Sequence, residues 1–203
     1  MTKTVRVMAC LVCVFVGNAM GGVLTTFDSG LDGWTSNTPA EVTWADSGGN
    51  PGGYARFEDA TINDTYLIAP PRYLGDWSGL DGVESISYDH NVIWITGSAF
   101  PRAPYTVVIS GPGGQATWTG AYAPRQPGWN TVTAPVTESE WTIDSGQWDA
   151  ILANVTDLSI RVEQYSNLDI SGMDNISLHT PEPATLSVLG LGGLAMLRRR
   201  RRR

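Results

Sequence analysis

An all-β sandwich of the jelly-roll type is the fold this sequence predicts. Short runs alternate apolar and polar residues with a period of two, glycine- and proline-rich turns separate them, and one stretch alone carries a helical pattern. Ile86, Tyr88, Val92 and Trp94 share one parity, and Ser85, Ser87, Asp89 and Asn91 take the other. Tyr105, Val107 and Ile109 alternate with Thr106, Val108 and Ser110, and Leu158, Ile160 and Val162 with Ser159, Arg161 and Glu163. A strand of that kind has one packed face and one wet face. Turn signals fall at residues 47–53, 111–114 and 124–128. The helical stretch is expected over 146–153, where Trp148, Ile151 and Leu152 fall on one side.

Composition narrows the function. The charge of −7 over 203 residues is unevenly spread: six of the 13 basic residues are 198–203, and two are Lys3 and Arg6. Residues 23–180 hold five arginines against 19 acidic residues, a formal charge of −14. Nucleic-acid binding by this body is excluded as an expectation, because phosphate contacts need a basic footprint.

Both ends read as addresses. Lys3 and Arg6 precede an apolar stretch (7–16), and Gly17, Asn18 and Ala19 follow as small residues, so 1–22 is expected to be a signal peptide cut after Ala19 or near Gly21 and Gly22. Both cysteines, Cys10 and Cys13, lie in that apolar stretch. The mature chain is therefore expected to have no disulfide and no cysteine nucleophile. At the other end, Pro181, Glu182 and Pro183 precede fourteen apolar or small residues (184–197) and then six arginines, Arg198, Arg199 and Arg200 among them. Fourteen helical residues span roughly 21 Å, short of a bilayer core of about 30 Å, and snorkelling arginines make such a span tolerable. The arginines hold that end in the cytoplasm and the body is expected outside. The arrangement over 181–203 resembles the PEP-CTERM sorting signal of bacterial envelope and exopolysaccharide systems. That resemblance implies an exosortase partner, which recognises the Pro-Glu-Pro motif and cuts near it, and transient anchoring in the inner membrane by the C-terminal helix. The alternative is a plain tail anchor.

Residues 23–180 are one domain's worth of chain, enough to bury a core. Residues 27–34 (FDSGLDGW) resemble the opening strand and turn of galactose-binding-like jelly rolls and carbohydrate-binding modules. Residues 53–59 (GYARFED), 66–71 (YLIAPP) and 74–78 (LGDWS), with 157–164 and 173–178 (MDNISL) as the last strands, resemble the laminin B domain, also called laminin IV type A. The resemblance implies an extracellular β-sandwich and does not imply catalysis.

The candidate site residues are few. Asp174 shares parity with Ile176 and Leu178 and is expected to point inward, where a carboxylate needs a partner. Asp28 closes the first strand. Related modules carry a structural Ca2+ between first and last strands, so Asp28 and Asp174 are the expected metal ligands. The alternative is that Asp174 accepts backbone N–H bonds at a turn. Most aromatics are expected in the core, and Trp44, Tyr122 and Trp129 are those expected to stack on a sugar. Glu138 and Glu140 would share a face of a strand, with Cα atoms about 6.5–7 Å apart, and glycoside hydrolysis needs two carboxylates flanking a cleft. An exposed, solvated pair is the expected reading. His90 is expected to be structural, and His179 to lie in the linker. Three Asn-x-Ser/Thr triplets, at Asn63, Asn154 and Asn175, are read as chance.

The expectation is thus an exported, non-enzymatic module, sorted to the envelope or extracellular matrix and contacting polysaccharide or another matrix component. The alternatives are a small glycan-processing hydrolase and a ligand-free structural spacer.

Overall fold

The computed structural model describes residues 22–59, 64–97, 100–166 and 168–178. The expected signal peptide, apart from Gly22, and the expected sorting signal (181–203), with His179 and Thr180 before it, lie outside the described residues, as does Asn63. Twelve strands and one short helix follow in order: β1 (Val23–Thr25), β2 (Thr35–Ser36), β3 (Val42–Ala45), β4 (Tyr54–Glu58), β5 (Tyr66–Ile68), β6 (Ser85–Ile95), β7 (Pro104–Gly111), β8 (Gly114–Tyr122), β9 (Trp129–Pro135), β10 (Trp141–Gly146), α1 (Trp148–Leu152), β11 (Asp157–Arg161) and β12 (Asp169–Leu178). Short 3-10 turns lie at Pro71–Tyr73, Ser78–Leu80 and Glu138–Glu140.

The strands form two six-stranded antiparallel sheets. One runs β3-β4-β12-β6-β9, with β1 also paired to β12; the other runs β10-β8-β7-β11-β5-β2. First and last strands are neighbours: Val23 lies opposite Leu178 and Thr25 opposite Ile176. The core lies between the sheets. Phe57, Ile86, Tyr88, Met173, Ile176 and Leu178 from the first sheet meet Leu67, Val107, Ile109, Ala116, Leu158 and Ile160 from the second, all buried. The alternating runs of β6 up to Val92, of β7, and of β11 up to Ile160 fold as their patterns require, while Arg161 and Glu163, expected on the wet face, are buried. Helix α1 buries Trp148, Ile151 and Leu152.

A set of polar groups in the core ties the first and last strands together. Tyr73 Oη donates to the Ile176 carbonyl at 2.7 Å and lies 2.8 Å from Thr25 Oγ1. Trp77 Nε1 donates to the Tyr73 carbonyl at 3.0 Å, and the Trp34 and Tyr73 rings meet edge to face at 4.9 Å. These contacts lock the first strand, the 3-10 turn and the last strand into one unit. Among the described residues both sheets and their shared core lie within 22–178.

Two bulges depart from the period-two expectation. In β6, Val92 faces Ser171 but Trp94 faces Ile170, so Ile93 is an extra residue and the parity flips. Trp94 therefore leaves the inward parity and is 47% exposed, while Ile95 turns in against the core. In β12, Asp174 pairs with Asp89 and Ser177 with Ser87, so Asn175 and Ile176 together oppose Tyr88 alone. Asn175 takes φ +49°, and Met173 and Ile176 both reach the core. Asp174 thus does not share the face of Ile176; it is buried on the opposite side, beneath the turn at 47–53. A third departure concerns Glu138 and Glu140, which sit in a 3-10 turn and not a strand, both exposed.

Candidate functional site

The outer face of the first sheet brings together residues from five strands. Across its middle, Thr43, Arg56, Gly172, Asn91 and Trp129 lie side by side in register. The next row holds Glu58, Ile170 and Trp94. Gly172 has no side chain, and the Tyr54 and Trp129 rings close over it, edge to face at 5.7 Å. A Cβ at position 172 would stand 2.7 Å from the Tyr54 ring and 3.0 Å from Trp129, so glycine is what lets the pair approach. Arg56 pairs with Glu58 at 2.6 Å, and Asn91 Oδ1 accepts the Gly128 N–H at 2.8 Å, fixing the turn before Trp129. The row is a strip of aromatic surface with amide, guanidinium and carboxylate groups beside it, the chemistry that grips sugar rings.

The sequence-predicted aromatics are not gathered on one surface. Trp129 is on this face, half-buried. Trp44 is on edge strand β3, 40% exposed, its Nε1 donating to the Phe27 carbonyl at 2.7 Å. Tyr122, 57% exposed, ends β8 in the other sheet. Trp94, Tyr54 and Arg56 belong to the face and were missed by sequence reasoning. Their placement depends on a bulge and on pairing between segments more than a hundred residues apart, for which the sequence carries no local signal.

At the edge of the same face the turn at 47–53 folds over Asp174. Its Oδ2 accepts the Asn50 N–H at 2.6 Å and its Oδ1 the Asn175 N–H at 2.7 Å. Asn50 and Asn175 amides both donate to Asp89 Oδ2, at 3.0 and 2.8 Å, and Thr131 donates to Asp89 Oδ1 at 2.7 Å. Burial pushes the Asp174 carboxyl above the usual range; its two N–H donors pull it down, and Asp89 and Asp28 push it further up. Asp28 itself is exposed, and Thr26 Oγ1 donates to it at 2.7 Å. The turn is packed against oxygens. A Cβ on Gly52 would lie 2.5 Å from Asp28 Oδ1, one on Gly49 2.9 Å from Asp174 Oδ2, and one on Gly53 2.4 Å from the Phe27 carbonyl and 2.9 Å from that of Ala45. Two carboxylates and several carbonyls around a close-packed glycine turn are the donor set a calcium ion takes. Among the described residues no three His, Cys, Asp or Glu side chains converge as a metal site, so carbonyl oxygens would have to complete the shell.

His90 is wholly buried, its Nδ1 3.1 Å from Tyr105 Oη, and burial pulls its pKa down to about 3. It is a neutral core residue. No helix among the described residues is long and apolar enough to cross a membrane.

Comparison with known proteins bears on both parts of the chain. Residues 179–203 match the PEP-CTERM protein-sorting motif, the mark of an exported protein. No curated protein matches the chain. Among solved structures, the sandwich is similar to the L4b domain of human laminin alpha-2, at 15% identity and a TM-score of 0.50, over 63% of this chain and 79% of that one. It is also similar to a family 11 carbohydrate-binding module from Clostridium thermocellum, at 21% identity and a TM-score of 0.52, over 79% and 96% of the two chains. That module was solved with a β-1,3-1,4-mixed-linked tetrasaccharide. The chain therefore combines a laminin- and carbohydrate-module-like sandwich with a PEP-CTERM motif.

Proposed function

We propose that this protein is a non-enzymatic glycan-binding module, delivered outside the cell by its signal peptide, sorted through its C-terminal motif by an exosortase, and transiently held in the inner membrane by the segment after that motif. Its ligand is an exopolysaccharide or other matrix glycan. The observation that carries the reading is exposed Trp94 and half-buried Trp129, the latter braced by buried Tyr54, beside Arg56, Glu58 and Asn91 on one sheet face. A sugar ring stacked on an exposed aromatic is held by its apolar C–H face, and its hydroxyls pair with the neighbouring amide and charged groups. The solved carbohydrate module of like fold supports the reading. Glu138 and Glu140, exposed in one 3-10 turn and not on a strand face, give no support to a hydrolase.

The same proposal includes a structural Ca2+. Asp28 and Asp174 would hold it, with carbonyl oxygens from the segments that crowd the glycine turn. The ion would relieve the repulsion among Asp28, Asp89 and Asp174 and would fasten the turn to the first and last strands. The test of function is a glycan array probed with purified 23–180 in millimolar calcium. Retention on polysaccharide supports the module, and a blank array favours a structural spacer.

A further inference from the structure

A set of acceptors without donors gathers where the chain leaves β11 and enters β12. Asp169 is wholly buried, and neither carboxylate oxygen has a hydrogen-bond partner. Glu163 is also wholly buried: its Oε1 takes the Arg102 guanidinium, and its Oε2 has no partner. Gln164 leaves its buried Oε1 without a donor. The N–H groups of Gln164 and of Asp169 itself face the Asp169 carboxyl without hydrogen-bond geometry.

The surrounding charges do not make up the deficit. Arg161 is engaged by Asp64, at 2.7 and 3.0 Å, and by the Glu163 carbonyl at 2.8 Å. Arg102 divides itself between Glu163 and Asp64, the latter at 2.9 Å. Asp59, arriving from β4, gives its N–H to the Asp169 carbonyl at 3.0 Å, and its carboxyl adds a third acid that repels the other two. Tyr165, whose hydroxyl donates to the Ala123 carbonyl at 2.7 Å, feels the charges of both Asp169 and Arg125. What the cluster lacks is a donor, and a proton supplies one.

We propose that the buried, unpartnered Asp169 carboxyl carries a proton as a latch, so that this end of the sandwich is shut most tightly in acid and loosens as the pH rises. The direction follows from linkage. Burial, with Asp59 and Glu163 adding to it, raises the Asp169 carboxyl to about 8 in the closed state. On opening, water returns it to about 3.9. The closed state then binds more protons than the open one, and opening becomes about tenfold easier per pH unit between those two values and levels off above them. The backbone bonds that would open are Asp59 N–H to the Asp169 carbonyl, Thr96 N–H to that of Leu168 and Arg102 N–H to that of Gln164. Exposed Leu168 and Phe100 sit on the same segments, so loosening would rearrange an apolar rim.

The latch is read out by amide hydrogen exchange of the 22–178 sandwich across neutral pH, corrected for intrinsic rates. Protection at Asp59, Thr96 and Arg102 is expected to fall about tenfold per pH unit up to about 8, with the β7–β8 amides unaffected. In Asp169→Asn those three amides are expected to lose that dependence. PH-independent protection in the wild type overturns the proposal, as does an unchanged slope in the variant. Should Asp169→Asn not fold, the carbon-13 shift of the Asp169 carboxyl in the wild type decides. A midpoint near 8 supports the latch, and one in the ordinary carboxylate range sinks it. Loss of the slope in EDTA alone would mean that a cation, not a proton, fills the cluster, and would equally overturn it.

Discussion

Asp174→Ala tests the turn at the edge of the proposed binding face. The side chain accepts two backbone N–H groups, from Asn50 at 2.6 Å and Asn175 at 2.7 Å, and truncation leaves both without a partner where the chain is closed in. Bonds to a charged acceptor are worth about 1.5–3 kcal/mol each. The desolvation that raises the Asp174 carboxyl offsets part of that, so the expected net loss is roughly 2–4 kcal/mol. In a domain of this size each kcal/mol moves the thermal midpoint by roughly 2–4 °C, so a fall of about 4–16 °C in a thermal melt is expected in EDTA. Calcium widens the gap, because an ion at a hundred times its Kd adds about 2.7 kcal/mol to the wild type alone. Urea unfolding followed by tryptophan fluorescence, with EDTA and with millimolar calcium, measures both quantities. A loss under about 1 kcal/mol in EDTA refutes the anchoring argument. A wild-type midpoint that ignores calcium removes the metal from the account and leaves Asp174 as an acceptor of backbone N–H bonds.

Four further outcomes are expected. Trp129→Ala and Trp94→Ala each lower retention on a polysaccharide affinity gel by about tenfold, in line with 1–2 kcal/mol for a lost stacking ring, while Tyr122→Ala, on the other sheet, leaves it unchanged. The Glu138→Gln, Glu140→Gln double variant unfolds and binds as the wild type does, since both carboxylates are exposed; a loss of binding would revive their role. Tyr73→Phe removes the donor to the buried Ile176 carbonyl and costs about 1–3 kcal/mol by urea unfolding. His90, held down to about 3, stays neutral in the folded protein, so its proton NMR signals are flat from pH 8 to about 5. Because the unfolded chain protonates this histidine first, His90 makes stability fall as the pH drops from about 6.5 toward 3, the opposite sign to Asp169. A midpoint above about 5 would place its ring in water.

Much of the sandwich was legible because strands β6, β7 and β11 each carry their burial pattern in consecutive residues. The turns at 47–53 and 111–114 announced themselves by glycine and proline, and α1 by the side shared by Trp148, Ile151 and Leu152. What the pattern could not show was where the period slips. One extra residue at Ile93 turns Trp94 out, and one at Asn175 separates Asp174 from Ile176, and both bulges are fixed by the partner strand. The binding strip was illegible for a related reason: Arg56, Asn91, Trp129 and Gly172 become neighbours only through the order β4-β12-β6-β9. Asp28 and Asp174 were paired as proposed metal ligands from motif resemblance alone, and in the structure both carboxylates lie against the glycine turn. The Asp169 cluster gave no sequence signal, since Asp59, Glu163 and Asp169 come from separate segments and each alone reads as a surface acid.

The glycan-binding face is tested most directly by titrating the nitrogen-15-labelled sandwich with the best polysaccharide fragment from the array and following the tryptophan indole signals. The account predicts that Trp94 and Trp129 shift together, with the Asn91 side-chain amide, while Trp118 and Trp141 of the other sheet stay still. Shifts confined to the second sheet, or none at saturating fragment, would contradict it.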